Sequence, residues 1–138
     1  MKKLVITTCV MLLAACSSSV SMNDIASKMP KDSRTIITYV PSTSNPISDG
    51  MLIAGIKMSG SNAATGLIKS LEIDNLNIGI SGNNASVNKA TVIYALEHLP
   101  QAGKNTSLYM LGAASDKADL EKAANSKNVT LHYFTSGN

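Results

Sequence analysis

The chain has 138 residues and a formal net charge of +3, of which Lys2 and Lys3 at its very start supply two, so that without them it falls to +1. The remaining cations are spread among acidic residues with no basic block, there is no tryptophan, and aromatics make up 4% of the chain, which excludes the clustered basic face that nucleic acid requires. The length suits a single domain with a core large enough to need no covalent staples.

Taken in chain order, the first element is a leader. Lys2 and Lys3 precede Leu4–Leu13, which is apolar except for Thr7, Thr8 and Cys9. A basic start, a short apolar centre and small closing residues are the parts of a secretory signal peptide. The run falls short of the ~20 apolar residues that cross a bilayer. A buried N-terminal helix is the competing reading, and the abrupt change to Cys16-Ser17-Ser18-Ser19 argues against it.

Leu13-Ala14-Ala15-Cys16 resembles the lipobox of bacterial lipoproteins. The resemblance covers the leader alone. It implies cleavage between Ala15 and Cys16, a diacylglyceryl thioether on the Cys16 sulfur, and often a third acyl chain on the new amine. The step needs a thiol, whose sulfur is the nucleophile. One acyl chain binds a membrane marginally, whereas two or more anchor stably. The family's sorting pattern implies that Ser17 sends the protein to the outer membrane of a Gram-negative host, facing the periplasm. Cys9 would leave with residues 1–15 and Cys16 would carry lipid, so the remaining chain has no disulfide.

Residues 16–34 are polar, contain Pro30, and read as a lipidated N-terminus and flexible tether, with a short helix around Asn23 to Lys28 as an option. The domain is expected over residues 35–138. Thr35–Val40 is rich in β-branched residues and reads as a strand closed by Pro41. Pro41–Gly50 reads as a loop by composition, and Met51–Met58 fits either a buried strand or a helical turn. Ala63–Leu71 reads as a helix with Leu67, Ile68 and Leu71 on one face. Asn75–Gly82 alternates Leu76, Ile78 and Ile80 with Asn75, Asn77 and Ser81, the pattern of a strand with one buried face and a place at a sheet edge. Asn84–Leu99 is a helix burying Val92, Ala95, Leu96 and Leu99. Ser107–Gly112 is a continuous apolar strand, as expected for a central position. A helix follows, with Ser115 or Asp116 as N-cap and Leu120, Ala123 and Ala124 inward, and Val129–Phe134 is a last strand. Together these predict a small single α/β domain with a βαβαβ second half and a partly parallel sheet. An α+β sandwich with some antiparallel pairing is the alternative.

Ligands of open parallel sheets sit beyond the carboxyl ends of the strands. That rule nominates Ser81, Asn83, Asn84, Ser115 and Asp116, set where two strands pass through glycine into a helix start whose free N–H groups suit an anion. The same residue types also make turns and helix caps. Gly79-Ile80-Ser81-Gly82 fits neither the dinucleotide fingerprint nor the phosphate-loop pattern, and Lys89 is misplaced for the latter. His98 and His132 lack metal-ligand spacing, Glu72 and Asp74 read as a solvated turn, and no serine lies in Gly-x-Ser-x-Gly. No catalytic residue, metal or cofactor is expected. The first functional reading is a non-catalytic envelope lipoprotein that binds a protein partner, as in a secretion, pilus or conjugation assembly, with the Asn75–Ser81 face docking by strand addition. A small-ligand-binding lipoprotein is the second reading and a hydrolase with unidentified residues the third.

Overall fold

The computed structural model describes residues 19–135. The leader and Cys16 lie outside them. The six-residue strands β1 (Thr35–Val40), β2 (Asn77–Gly82), β3 (Ser107–Gly112) and β4 (Thr130–Thr135) lie side by side in sequence order. Every neighbouring pair is parallel, so the chain is α/β and its sheet is parallel throughout. The helices are α1 (Met22–Ala26), α2 (Pro46–Ser59), α3 (Asn62–Leu71), α4 (Ala85–Glu97) and α5 (Lys117–Asn125), the last entered through a 3₁₀ turn at Ala114–Asp116.

Parallel crossovers are right-handed because a twisted strand feeding a right-handed helix packs back onto the sheet only that way. Three such crossovers stepping in one direction place α2 to α5 on one face. The main core lies there: Val40, Ile78, Ile80, Leu108 and Met110 meet Ile56, Leu67, Leu71, Val92, Leu96 and Leu120.

The opposite face carries Ile37, Tyr109, Leu111 and Phe134, and residues ahead of β1 cover it. Val20 forms an antiparallel bridge with Gly82, each N–H donating to the other's carbonyl at 2.8 and 2.9 Å. Ser21 and Asp24 close a capping box around the start of α1, and Ile25 and Met29 are buried against the sheet. The stretch read as a tether is therefore, from Val20 on, part of the folded body. Gly79 makes this possible, since a Cβ there would lie 2.5 Å from Met29 Sδ and 3.1 Å from Ile25 Cγ1.

The same packing corrects the reading of β2. This strand is internal, paired with both β1 and β3, and Ser81 is fully buried on the face that α1 covers. Its polar alternation marks small side chains under a close-packed helix, and the edges of the sheet are β1 and β4. The loop expected over Pro41–Gly50 also ends early. Asn45 accepts hydrogen bonds from the Ile47 and Ser48 N–H groups with Pro46 at the first helical position, a start signal that carries the chain into α2 through the ambiguous Met51–Met58 run. This helix is apolar nearly all round. Leu52, Ile53 and Ile56 pack inward, while Ile47, Met51 and Met58 stay exposed.

Each of β2, β3 and β4 is entered the same way. Asn75, Asn105 and Asn128 take φ of 57°, 58° and 59°, and each is followed by one buried residue, Leu76, Thr106 or Val129. Asparagine tolerates this left-handed conformation better than other residues bearing a Cβ, and it turns the chain from the helix layer into the sheet.

Replacing Ile25 by Ala should cost about 2–5 kcal/mol in urea unfolding of the chain lacking residues 1–15, the usual loss for a buried aliphatic side chain. A residue in a detached tether would change stability by less than ~0.5 kcal/mol.

Candidate functional site

The crevice expected from sequence at the carboxyl ends of the strands is here a small cleft lined by none of the five nominated residues. Such a crevice opens where strand order reverses and neighbouring crossovers leave to opposite faces. Here the order never reverses, and Val20 already occupies the end of β2. What remains is a cleft of about 230 Å³ bordered by Ser19, Val20, Asp24, Lys28, Ala85 and Leu111 among others.

The nominated residues have separate tasks. Ser81 is buried in the sheet, its hydroxyl without a hydrogen-bond partner. Asn83 is exposed, and its Nδ2 donates to the Tyr39 hydroxyl at 3.2 Å. Asn84 is the N-cap of α4, its Oδ1 accepting from the N–H groups of Ser86 and Val87 at 2.9 and 3.2 Å. Ser115 is exposed in the 3₁₀ turn. Asp116 sits at the N-cap position of α5 but makes no capping bond there, and it turns instead to Lys89. Of the five, only Asp116 lines the larger groove described below.

Sequence reasoning overlooked Asp49. It lies buried in the first turn of α2, where Oδ1 accepts from the Thr43 N–H at 2.7 Å and the Thr43 hydroxyl at 2.8 Å. Its Oδ2 accepts from Asn84 Nδ2 at 3.0 Å. The Thr43 backbone bond, then its hydroxyl, hold the Asp49 carboxyl below the usual carboxylate range, aided by Asn84 and opposed by burial. The group ties the loop after β1 and the start of α2 to the start of α4. It is a structural carboxylate, with three of its hydrogen-bond sites already committed within the fold.

A concavity larger than that cleft lies on the helix face. α2 and α5 each pack on α4, and the space above α4 between them is an open groove of about 760 Å³. Ile53, Ala90, Ile93, Tyr94 and Ala123 make an apolar floor, and Lys57, Lys89, Glu97, Asp116, Asp119 and Lys122 make a charged rim. Lys89 Nζ lies 3.1 Å from both Asp116 Oδ1 and Asp119 Oδ2. Bonds to Asp116 first, then Asp119, push the Lys89 ammonium above its ordinary pKa, so it stays charged as a cross-brace from α4 to α5. Lys57, Glu97 and Lys122 enter no ion pair among the described residues. The groove had a signal in the sequence: Ser86, Ala90, Ile93 and Glu97 follow i, i+4, i+7, i+11 spacing, a second stripe on α4 with a small residue in it.

The histidines are placed as packing groups. His98 stacks on Tyr94 with centroids 3.9 Å apart, its Nδ1 2.9 Å from the Tyr94 carbonyl at the end of α4, and His132 stacks on Tyr109 at 4.4 Å. Among the described residues, no three of His, Cys, Asp and Glu gather to hold a metal ion. No family model matches the chain, and no curated protein or solved structure is significantly similar to it.

Beside the groove, the Tyr133 hydroxyl donates to the Ala113 carbonyl at 2.7 Å. Burial, then the charge of Asp116, push it up to about 12, and burial alone raises Tyr109. Tyrosine in an unfolded chain ionises near pH 10. Above that pH the folded chain keeps a proton that the unfolded chain has lost, so stability should fall as pH rises from ~10 to ~12. Alkaline titration of phenolate absorbance should show one group with a midpoint near 12, absent in Tyr133→Phe, and urea midpoints should drop across that window.

Proposed function

We propose that the chain is a bacterial envelope lipoprotein, held by acyl chains on Cys16, whose non-catalytic domain binds another envelope protein as an accessory of a larger assembly. A secretion, pilus or conjugation machine is the kind of assembly meant. The observation that carries this reading is the sequence Leu13-Ala14-Ala15-Cys16, whose cysteine stands four residues before Val20, the first described residue bonded to the sheet. Ser17 after the cysteine supports the outer membrane as its address.

The partner surface in this proposal is the groove above α4. Strand addition along β2 is ruled out by the neighbours that β2 already has. The groove offers an apolar floor to a side-chain row of a partner segment, and Lys57, Glu97 and Lys122 on its rim are available for register and orientation. Its volume lies within the range of small-molecule sites, but such sites enclose most of the ligand, and this one is open along its length.

A photoreactive residue placed at Lys122, on the rim, should capture one dominant envelope protein in intact membranes. The same group at Lys104, in the loop before β3, should not. Capture should vanish when Cys16→Ser releases the domain. Equal capture from both positions, or none from either, would contradict the assignment.

A further inference from the structure

We propose that the carboxyl end of the β1–β2 half of the domain rests on the lipid surface in which Cys16 is anchored, with Tyr39, Ile47 and Met51 in the headgroup region. This rests on the lipid-anchored reading above and adds an orientation to it.

Three residues, Ser17 to Ser19, separate Cys16 from Val20, and Val20 is bridged to Gly82 at the end of β2. Even a fully extended chain spans only about 14 Å over those four steps. The anchor therefore cannot lift the domain by as much as the ~20 Å length of one strand. The end of the sheet at which the chain emerges is the end next to the membrane.

Hydrogen bonds fix what stands at that end. Asn83 holds the Tyr39 hydroxyl, and Asn84 holds Asp49 in the first turn of α2. Ile47 and Met51, one helical turn apart on the outer side of that helix, are 77% and 72% exposed, and Tyr39 is 45% exposed. Met22, in the first turn of α1 beside the exit, is 52% exposed. Each of these apolar groups, exposed to water at this end, would gain from a covering surface.

Charge selects the cover. From Thr35 to Ile56 the only charged residue is Asp49, which is buried, and from Asn75 to Asn88 there is none. Bringing those segments to a bilayer strips no exposed ion of water, the step that ordinarily keeps a protein surface off lipid, while Asp24 and Lys28, exposed beside the exit, must keep their water at the rim of the contact. Tyrosine, with an apolar ring and a polar tip, suits the interface. A second copy fits less well: four side chains fall far short of the ~20–30 residues that each partner of a stable complex contributes. A bilayer already held at this distance needs no large contact to set orientation.

The mature chain has no cysteine besides Cys16, so an added one is a unique attachment point once Cys16 is acylated. The full lipidated protein would be reconstituted in phosphatidylethanolamine–phosphatidylglycerol vesicles with a nitroxide on Met51→Cys, on Tyr39→Cys, or on Lys104→Cys at the far end. Intact mass would be read first. With acyl mass present, the labels at 51 and 39 should show a several-fold higher ratio of oxygen to aqueous nickel-complex collisions than the label at 104. Acyl mass present with equal ratios would overturn the resting face and leave the anchor standing. Dipolar broadening between labels at 51 would point to a second copy and overturn it too. A mass without acyl groups would overturn the anchor and, with it, this proposal.

Discussion

The face of the sheet built from Ile37, Tyr109, Leu111 and Phe134 receives no crossover helix, because three right-handed crossovers stepping one way all fall on the opposite side. Left bare, those side chains would form one continuous apolar patch. Val20, Ile25 and Met29 cover its centre, and Lys28 lies over the Phe134 ring with Nζ 5.4 Å from its centroid. The cover and the sheet depend on each other. A five-residue helix such as α1 has no stability of its own in water, so it exists because Ile25 is buried against the strands. The strands in turn need it to keep their second face dry.

That arrangement decides what the carboxyl end of the sheet can be. In doubly wound folds this end is open, because helices depart to both faces and leave a gap at the reversal. Here the chain enters across it, through the bridge of Val20 to Gly82, and the first turns of α2 and α4 are laced together by Asp49 and Asn84. Of the polar residues that resemble a ligand site in the sequence, Asn84 caps α4 and holds Asp49, Asn83 holds Tyr39, and Asp116 pairs with Lys89. The larger hollow is displaced to the outside of the helix layer, where α2 and α5 stand apart over α4. In the proposed anchored protein the chain's exit lies at the carboxyl end of the sheet and the groove on the helix face.

Much of the fold was legible in the sequence, and the failures have physical causes. The buried stripe of α4, the apolar run of β3 and the Leu120–Ala124 face of α5 declared themselves because one burial pattern governs each of them. β2 misled because Gly79 and Ser81 look like a solvent face, while their small size is what lets α1 approach. The N-terminal stretch misled because its three core residues, Val20, Ile25 and Met29, are spaced too widely among polar residues to give a periodic signal. The start of α2 was hidden by its serines and prolines, although Asn45-Pro46 is an N-cap and first-turn pair. The asparagines two residues ahead of β2, β3 and β4 are a repeated turn signal that composition alone does not reveal. Of the nominated site, Asn84 and Asp116 sit at helix starts as expected, but what each binds is another part of the chain, and long-range partners such as Asp49 and Lys89 cannot be read from local spacing.

Val20 is the first described residue bonded to the sheet, and the segment that follows it closes the sheet's second face. Hydrogen exchange at the Val20 and Gly82 amides tests it most directly, because each donates to the other's carbonyl across the bridge. The account predicts that both exchange as slowly as the amides of β2 and β3, through global unfolding alone. Exchange of Val20 at the rate of a free peptide, with β2 still protected, would show that the segment is a tether after all.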